Sequence, residues 1–310
     1  MSNLGARILV AVVAIPCILL LAWLGGYFWF AFVAAVMGFS VREFAALSRR
    51  KGAFPQTPAM LGGGFALLLV FLHERLAADI ASVTGAAIPV PSTGQALVWV
   101  CILFMLVVLT TELFRNRGSA LANAGATVLG TLYIGLFLGT AVGVREIFSV
   151  TEFPVGKVFG TVEWNPAMQS RLHAWGGFTM ISILATIWIC DTAAYFGGVA
   201  MGRTPLFPRV SPKKTWEGAA CGFVTAVATM VAARYLVLDY LTTGQAVVIG
   251  VIVGAAGQIG DLVESLFKRD AGVKDSSEML PGHGGVFDRF DSLLYVAPLV
   301  FLYLDYVVFA

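Results

Sequence analysis

Acidic side chains concentrate in one short stretch of the chain. Seven of the eighteen Asp and Glu residues fall in this window: Asp261, Glu264, Asp270, Asp275, Glu278, Asp288 and Asp291. Asp261, Glu264 and Lys268 are spaced i, i+3 and i+7, with Ser265 at i+4, so a helix would carry them as one polar stripe. Because a lipid-facing carboxylate costs about 2.5 kcal/mol or more, we predict that the stripe faces other helices or a water-filled cavity.

A further polar pair begins the last apolar segment. Asp288 and Asp291 are spaced i, i+3 and so reach one face of a helix. The loop before them contains His283, Gly284 and Gly285, and glycines allow the backbone to approach a ligand closely. Crowded carboxylates resist joint ionisation unless a cation neutralises them, and Mg²⁺ combines carboxylates with waters and phosphate oxygens. With Lys and Arg alongside, this pattern predicts metal-assisted phosphoryl chemistry. Three of the acidic residues suit a solvated loop equally well: Asp270, Asp275 and Glu278.

A second polar group lies one loop earlier. Asp191 and Tyr195 are i, i+4 neighbours near the end of an apolar segment. Ser211 followed by a proline favours a helix N-cap and first turn, so we expect a helix to start there. The amide groups at its start, together with Lys213 and Lys214, would attract anionic groups. The alternative is a basic loop that only fixes membrane topology.

Membrane-spanning helices must position these residues. The chain has 310 residues, of which 58% are hydrophobic and 12% charged, whereas a soluble domain is about 25% charged. Nine apolar segments approach the roughly 20 residues that a spanning helix needs: 7–24, 26–44, 57–73, 96–114, 122–144, 175–198, 218–238, 245–266 and 291–309. We therefore predict an all-α, polytopic integral membrane protein with about nine transmembrane helices.

The lysines and arginines orient these spans, because positive residues are kept on the cytoplasmic side. With nine alternating spans and the N-terminus inside, fifteen of the twenty fall inside. The five outside are Arg75, Arg145, Lys157, Arg171 and Arg234. We predict an N-inside, C-outside topology with the acidic window on the cytoplasmic side. By role, residues 1–174 form N-terminal transmembrane helices with an outside loop, and residues 175–310 form the catalytic region.

The acidic window also carries a specific signature. Ser265, Lys268 and Arg269 are followed by Lys274 and Asp275, and then by the run His-Gly-Gly-Val-Phe-Asp-Arg-Phe-Asp over 283–291. This spacing resembles the signature of the phosphatidate cytidylyltransferase (CDP-diacylglycerol synthase) family at every fixed position. The segments Asp-Thr-Ala-Ala-Tyr at 191–195 and Ser-Pro-Lys-Lys-Thr-Trp-Glu-Gly at 211–218 resemble that family too, so the resemblance covers about 185–310.

The resemblance implies that CTP and phosphatidate react to give CDP-diacylglycerol and pyrophosphate in phospholipid biosynthesis. It implies Mg²⁺, with a second cation such as K⁺, and a homodimer. The implied metal ligands are Asp261 and Asp288, supported by Asp291 and Asp275. The implied catalytic residues are Asp261, Lys268, Arg269, Asp288, Arg289 and Asp291. The implied substrate-binding residues are Asp191, Tyr195, Ser211, Lys213, Lys214, Lys274, His283, Gly284 and Gly285. The short N-terminal segment favours the inner (plasma) membrane, with the site facing the cytoplasm.

Two other functions fit the residues less well. A CTP-dependent lipid-alcohol kinase, acting on polyprenol or phytol, would use similar chemistry on a different acceptor. A cation-coupled transporter would use intramembrane carboxylates, but here they cluster at one face of the membrane. A net charge of +2 gives no reason to expect a nucleic-acid partner. The four cysteines lack paired spacing, which argues against a zinc site or a disulfide framework.

Overall fold

The chain is almost wholly helical. A computed structural model describes residues 3–85, 89–148, 166–277, 279 and 284–309. Its eleven α-helices over these ranges are α1 (Asn3–Leu24), α2 (Gly26–Arg50), α3 (Thr57–Val70), α4 (His73–Thr84), α5 (Thr93–Leu113), α6 (Ala120–Gly130), α7 (Phe137–Glu146), α8 (Pro166–Met201), α9 (Trp216–Leu236), α10 (Thr243–Asp270) and α11 (Phe287–Tyr303). A π-helical turn, Thr131–Leu136, joins α6 to α7, and another, Leu304–Val308, extends α11.

Seven of the described helices are long and apolar enough to cross a membrane: Gly26–Arg50, Thr93–Leu113, Ala120–Glu146, Pro166–Met201, Trp216–Leu236, Thr243–Asp270 and Phe287–Val308. Two shorter apolar helices, Val12–Leu24 and Thr57–Val70, occupy the other two predicted segments. The all-α, multi-span prediction is therefore confirmed. Each of the nine predicted segments lies largely within a described helical segment, although the helix at Pro166–Met201 begins nine residues before the predicted start at 175. Seven of these helical segments meet the length that a bilayer requires.

The expected helix start at Ser211 is wrong. Ser211–Thr215 forms a short strand, β2, which pairs antiparallel with β1 (Pro205–Phe207). Helix α9 begins only at Trp216, because Thr215 is its N-cap and its hydroxyl accepts a hydrogen bond from the Gly218 amide at 3.2 Å. The Glu217 carboxylate holds the hairpin against α9 by accepting from the backbone amides that precede β1.

The two ends of the helical bundle have different contents. At one end, here called the site end, α2, α8 and α10 finish while α9 and α11 begin, and Lys51 after α2 pairs with Asp270 of α10 at 3.2 Å. At the opposite end, Arg145 is buried and donates to the Ala22 and Trp23 carbonyls at 2.6 and 2.7 Å. Glu146 beside it accepts from the Gly26 amide at 2.6 Å. These bonds pair backbone groups at the junction of α1 and α2 with side chains at the end of α7.

The core is continuous through the whole bundle. Buried apolar side chains from α2, α3, α7, α8, α10 and α11 form one contact cluster. Near the site end, the Phe44 ring of α2 meets Phe267 and Phe287 edge to face. Helix α8 runs without a break across position 174, so the predicted division at 174/175 stays a prediction about where the chemistry lies.

Candidate active site

Three carboxylates converge at the site end. One oxygen each of Asp261 and Glu264, on α10, and of Asp291, on α11, lie within 4.8 Å of one another. Close helix packing brings them together: a Cβ at Gly260 would lie 2.6 Å from the Asp291 carbonyl oxygen. With glycine at this position, α10 and α11 can approach one another where the acidic side chains must meet. This group is called the carboxylate cluster below.

Lys268 bridges two buried carboxylates. Its ammonium lies 2.6 Å from Glu264 Oε2 and 3.0 Å from Asp288 Oδ1. The Glu264 side chain is 0% exposed, Asp288 3% and Lys268 11%. Buried charges of this kind persist only when they are paired. The predicted polar stripe on α10 therefore does pack against other parts of the protein.

Asp288 organises the loop in front of α11. It accepts from the Gly285 amide at 2.8 Å and from the Ser276 amide at 3.0 Å. Its place in the first turn of α11 also suits a negative charge, because the helix dipole is positive there. Gly284 has φ +78°, a conformation open mainly to glycine. Within the described residues, Asp288 adjoins the carboxylate cluster through Lys268 and is not one of its three members.

The hairpin contributes one lysine to the site. The Lys214 ammonium donates to Asp261 Oδ2, and the Ser265 hydroxyl donates to the other Asp261 oxygen at 3.3 Å. Because side chains alternate along a strand, Lys213 points away from Lys214, and it is exposed. The two lysines that were expected to act together at a helix start thus serve different faces.

Asp191 and Arg289 lie in the electrostatic neighbourhood of the cluster. The charges of Asp261, Lys214 and Arg289 all act on Asp191, which is exposed on α8. Asp291 in turn experiences the charges of Asp261 and Asp191. The structure therefore brings groups from three helices and the hairpin to one place.

The other predicted site residues lie around this centre. Arg269 donates to two backbone carbonyls, those of Val210 at 3.3 Å and Val273 at 2.9 Å, and so ties the hairpin to the end of α10. Tyr195 is 67% exposed, one helical turn beyond Asp191. Ser211 is half-buried in β2, whereas Lys274 and Asp275 are exposed in the turn after α10. His283 lies outside the described residues.

An open cleft of about 450 Å³ adjoins the site. It lies between the last turns of α2 and the turn after α10, and its charged lining residues are Arg50, Lys274 and Asp275. Ser276, which also lines it, donates its amide to Asp288. The cleft therefore borders the acidic residues, and its two cations suit an anionic ligand. A larger cavity of about 520 Å³ lies at the opposite end of the bundle.

Sequence reasoning missed two participants from α2. Glu43 and Arg50 belong to the N-terminal half and show no local motif. Only packing connects them to the site: Glu43 contacts the start of α11, and Arg50 lines the cleft beside the turn after α10. Glu264 was recognised in the polar stripe but was not among the predicted metal ligands, although it belongs to the carboxylate cluster. Its i+3 spacing from Asp261 was the available signal.

Comparison with known proteins gives the family. The model of the cytidylyltransferase family matches residues 5–307. The chain belongs to the cytidylyltransferase family. A phosphatidate cytidylyltransferase of Synechocystis sp. is 32% identical over 301 residues, which cover 96% of this chain and 95% of that protein. One of Brucella suis is 31% identical over 303 residues, covering 98% and 94%. One of Haemophilus influenzae is 44% identical over 128 residues, covering 40% and 44%.

Membership makes the chain a transferase, and the cytidylyltransferase site fits a divalent cation. Its three carboxylate oxygens are the hard ligands that Mg²⁺ prefers, and oxygens sharing one Mg²⁺ lie up to about 4.2 Å apart. The three oxygens lie within 4.8 Å of one another, which is close to that limit. In the described part of the chain, Asp291 forms no ion pair with a lysine or arginine, so a metal ion would supply the neutralising charge.

Proposed function

We propose that the chain transfers the cytidylyl group of CTP to phosphatidate, giving CDP-diacylglycerol and pyrophosphate. The observation that carries this proposal is the carboxylate cluster, flanked by Lys214 and Lys268, at one end of membrane-spanning helices. Relatives named phosphatidate cytidylyltransferase, which match nearly the whole chain, support it. They do not favour the lipid-alcohol kinase.

The chemistry needs positioning and charge neutralisation more than proton transfer. A phosphate oxygen of phosphatidate, already anionic at neutral pH, forms a bond to the α-phosphorus of CTP. The bond from that phosphorus to the oxygen bridging to the β-phosphate breaks, and pyrophosphate leaves with the electron pair. The phosphate of phosphatidate, the α-phosphate of CTP and the leaving pyrophosphate are all negatively charged, and they must lie close together during the reaction. Preorganised cations stabilise that arrangement most effectively where water is scarce.

The chain's own residues divide this work. Asp261, Glu264 and Asp291 would hold Mg²⁺, with Asp288 and Asp275 supporting its shell. Bound Mg²⁺ supplies a Lewis acid that neutralises phosphate oxygens. Lys214, which donates to Asp261, and the exposed Arg289 would contact the reacting phosphates. Lys268 contacts both Glu264 and Asp288 and would hold the two side chains in place. A second cation such as K⁺ stays a prediction.

The remaining predicted residues would bind substrate around this centre. Asp191 and the exposed Lys213 and Lys274 would hold the nucleotide or its phosphates, and Arg269 would act mainly by fixing the hairpin. The residues assigned to this outer ring are Tyr195, Ser211, Lys213, Lys274, His283, Gly284 and Gly285. Apolar side chains of α8 and α9 near the site are exposed, among them Phe196 and Trp216. Such a surface would let acyl chains stay in the bilayer while the headgroup reacts.

The predicted topology places this site on the cytoplasmic face of the inner membrane, with nine spans and an inside N-terminus. The distribution of positive charge supports it. At the opposite end, the described residues carry Arg75, Arg145, Arg171 and Arg234. At the site end they carry Arg42, Arg49, Arg50, Lys51, Arg115, Arg117, Arg203, Arg209, Lys213, Lys214, Lys268, Arg269, Lys274 and Arg289. The homodimer stays a prediction that the size of the purified protein would test.

The position of a radioactive phosphate in CTP distinguishes the proposed cytidylyl transfer from the alternative kinase reaction. Purified protein in phosphatidate micelles receives CTP labelled at either the α- or the γ-phosphate. Cytidylyl transfer moves the α-label into lipid and the γ-label into pyrophosphate. A kinase acting on added polyprenol would place the γ-label in lipid instead. Lipid carrying the γ-label, or no labelled lipid at all, would overturn the proposed function.

A further inference from the structure

Helix α11 starts without a cap of its own. Its N-cap residue is Val286, whose side chain has no acceptor. The first N–H groups of a helix have no partner inside the helix and cost free energy when they are buried unpaired. Val286 and Phe287 are both buried, so their amides need an acceptor from elsewhere in the fold.

Glu43 of α2 supplies that acceptor. Its Oε1 accepts from the Val286 amide at 3.0 Å, and its Oε2 accepts from the Phe287 amide at 2.8 Å. The same carboxylate accepts from the hydroxyls of Ser276 at 2.9 Å and Ser277 at 2.6 Å. Glu43 is 6% exposed, and none of the described lysines or arginines pairs with it. All four of these partner residues belong to the acidic window between Asp261 and Asp291, more than 230 positions away along the chain.

Gly285 gives independent support for this arrangement. A Cβ at this position would lie 2.4 Å from Glu43 Oε2 and 2.0 Å from the Ser276 hydroxyl. A side chain at this position would therefore displace the Ser276 hydroxyl and the Glu43 carboxylate from the places they occupy. The backbone amide of Gly285 itself donates a hydrogen bond to Asp288. Glu43 and Asp288 thus accept hydrogen bonds from the same two short segments, 276–277 and 285–287.

We propose that Glu43 is a positioning residue of the active site, tying the 276–277 turn to the first turn of α11. It holds the amides of Ser276 and Gly285 where both can bond to Asp288, and so fixes the position of Asp288 relative to Lys268. The inference deepens the proposed function and rests on it for the assay of turnover. Its structural part, here called the tether, is the set of hydrogen bonds between Glu43 and these two segments. The tether can be tested without measuring activity.

Substitution of Glu43 tests the effect on catalysis. Since a misplacement of about 1 Å can cost about a hundredfold in rate, Glu43→Ala should lower kcat by about a hundredfold. Glu43→Gln, which keeps one acceptor oxygen, should lower it by about tenfold. The KM for phosphatidate should stay within about twofold, because Glu43 touches no substrate. The matched control is Glu112→Gln, since Glu112 is equally buried and accepts hydrogen bonds from Gln56 and Asn123. It should lose stability but not kcat.

Amide hydrogen exchange tests the tether without reference to activity, and it works on the wild-type protein even if a variant fails to fold. The Val286 and Phe287 amides should exchange far more slowly than those of the exposed turn at 274–275, and Glu43→Gln should accelerate both. Rapid exchange in the wild type, or variants of Glu43 with unchanged kcat, would overturn the inference. A protein without cytidylyl transfer but with slow exchange at both amides would refute only the proposed function.

Discussion

Replacing Lys268 by methionine should destabilise the folded protein strongly. Lys268 is the cation shared by Glu264 and Asp288, at 2.6 and 3.0 Å, and all three side chains are almost fully buried. Removing one member of a buried ionic group costs ~3–5 kcal/mol, because it leaves uncompensated charge behind. We expect the free energy of unfolding, measured in bicelles, to fall by that amount in Lys268→Met.

A second substitution separates charge from packing. Adding Glu264→Gln to Lys268→Met removes the second buried carboxyl group that faced the ammonium, so part of the lost stability should return while turnover stays low. The control is Lys51→Met, which breaks an ion pair of similar length, to Asp270 at 3.2 Å, whose side chains are 52% and 61% exposed. Exposed pairs contribute about 0–1 kcal/mol. If Lys268→Met cost no more than Lys51→Met, the reasoning that Lys268 neutralises buried carboxylates would be refuted.

Three further outcomes are expected. Asp288→Asn should abolish transfer of label from CTP to lipid while the protein stays folded and inserted, and near-normal turnover would contradict its role. Arg50 lines the cleft beside the site, whose cations suit the phosphates of CTP. Arg50→Ala should therefore raise the KM for CTP by about tenfold, the value of one charge-assisted contact of about 1.4 kcal/mol, with kcat little changed; an unchanged KM would show that the cleft does not bind CTP. In a background without native cysteines, an impermeant maleimide should label Lys213→Cys only in inside-out vesicles and Arg171→Cys only in right-side-out ones, and the reverse pattern would invert the topology.

Helical periodicity explains what the sequence could predict of the site. The i, i+3, i+7 spacing places Asp261, Glu264 and Lys268 on one side of α10, whatever the rest of the fold does. The cost of exposing such a stripe to lipid then requires partners, and the structure provides them from α11 and the hairpin. The positions of the helices could also be predicted from the sequence, because long apolar segments in a bilayer have few alternatives to a helix.

Local signals failed where short-range preferences compete. Ser211 followed by proline suits a helix start, yet this segment pairs with β1, and Thr215 caps the helix instead. That shift of four residues turned Lys213 and Lys214 from neighbours on a helix end into side chains on opposite faces of a strand. Only Lys214 reaches Asp261.

Contacts between distant segments were beyond any pattern in the sequence. Glu43 accepts a hydrogen bond from the Phe287 amide, which lies 244 positions away along the chain. Nothing in the sequence around Glu43 distinguishes it from the other charged residues near the end of α2. Its role follows from how α2 packs against α11. Arg50, two helical turns further along α2, is likewise connected to the site only by packing, because it lines the cleft beside the turn after α10.

Metal binding tests the central claim most directly. The measurement is electron paramagnetic resonance of Mn²⁺ titrated into purified protein, comparing the wild type with the double variant Asp261→Asn, Asp291→Asn. We predict a protein-bound Mn²⁺ signal in the wild type that the double variant loses and that Lys51→Met retains. Equal binding by the wild type and the double variant would contradict the account, because the carboxylate cluster would then not be the metal site.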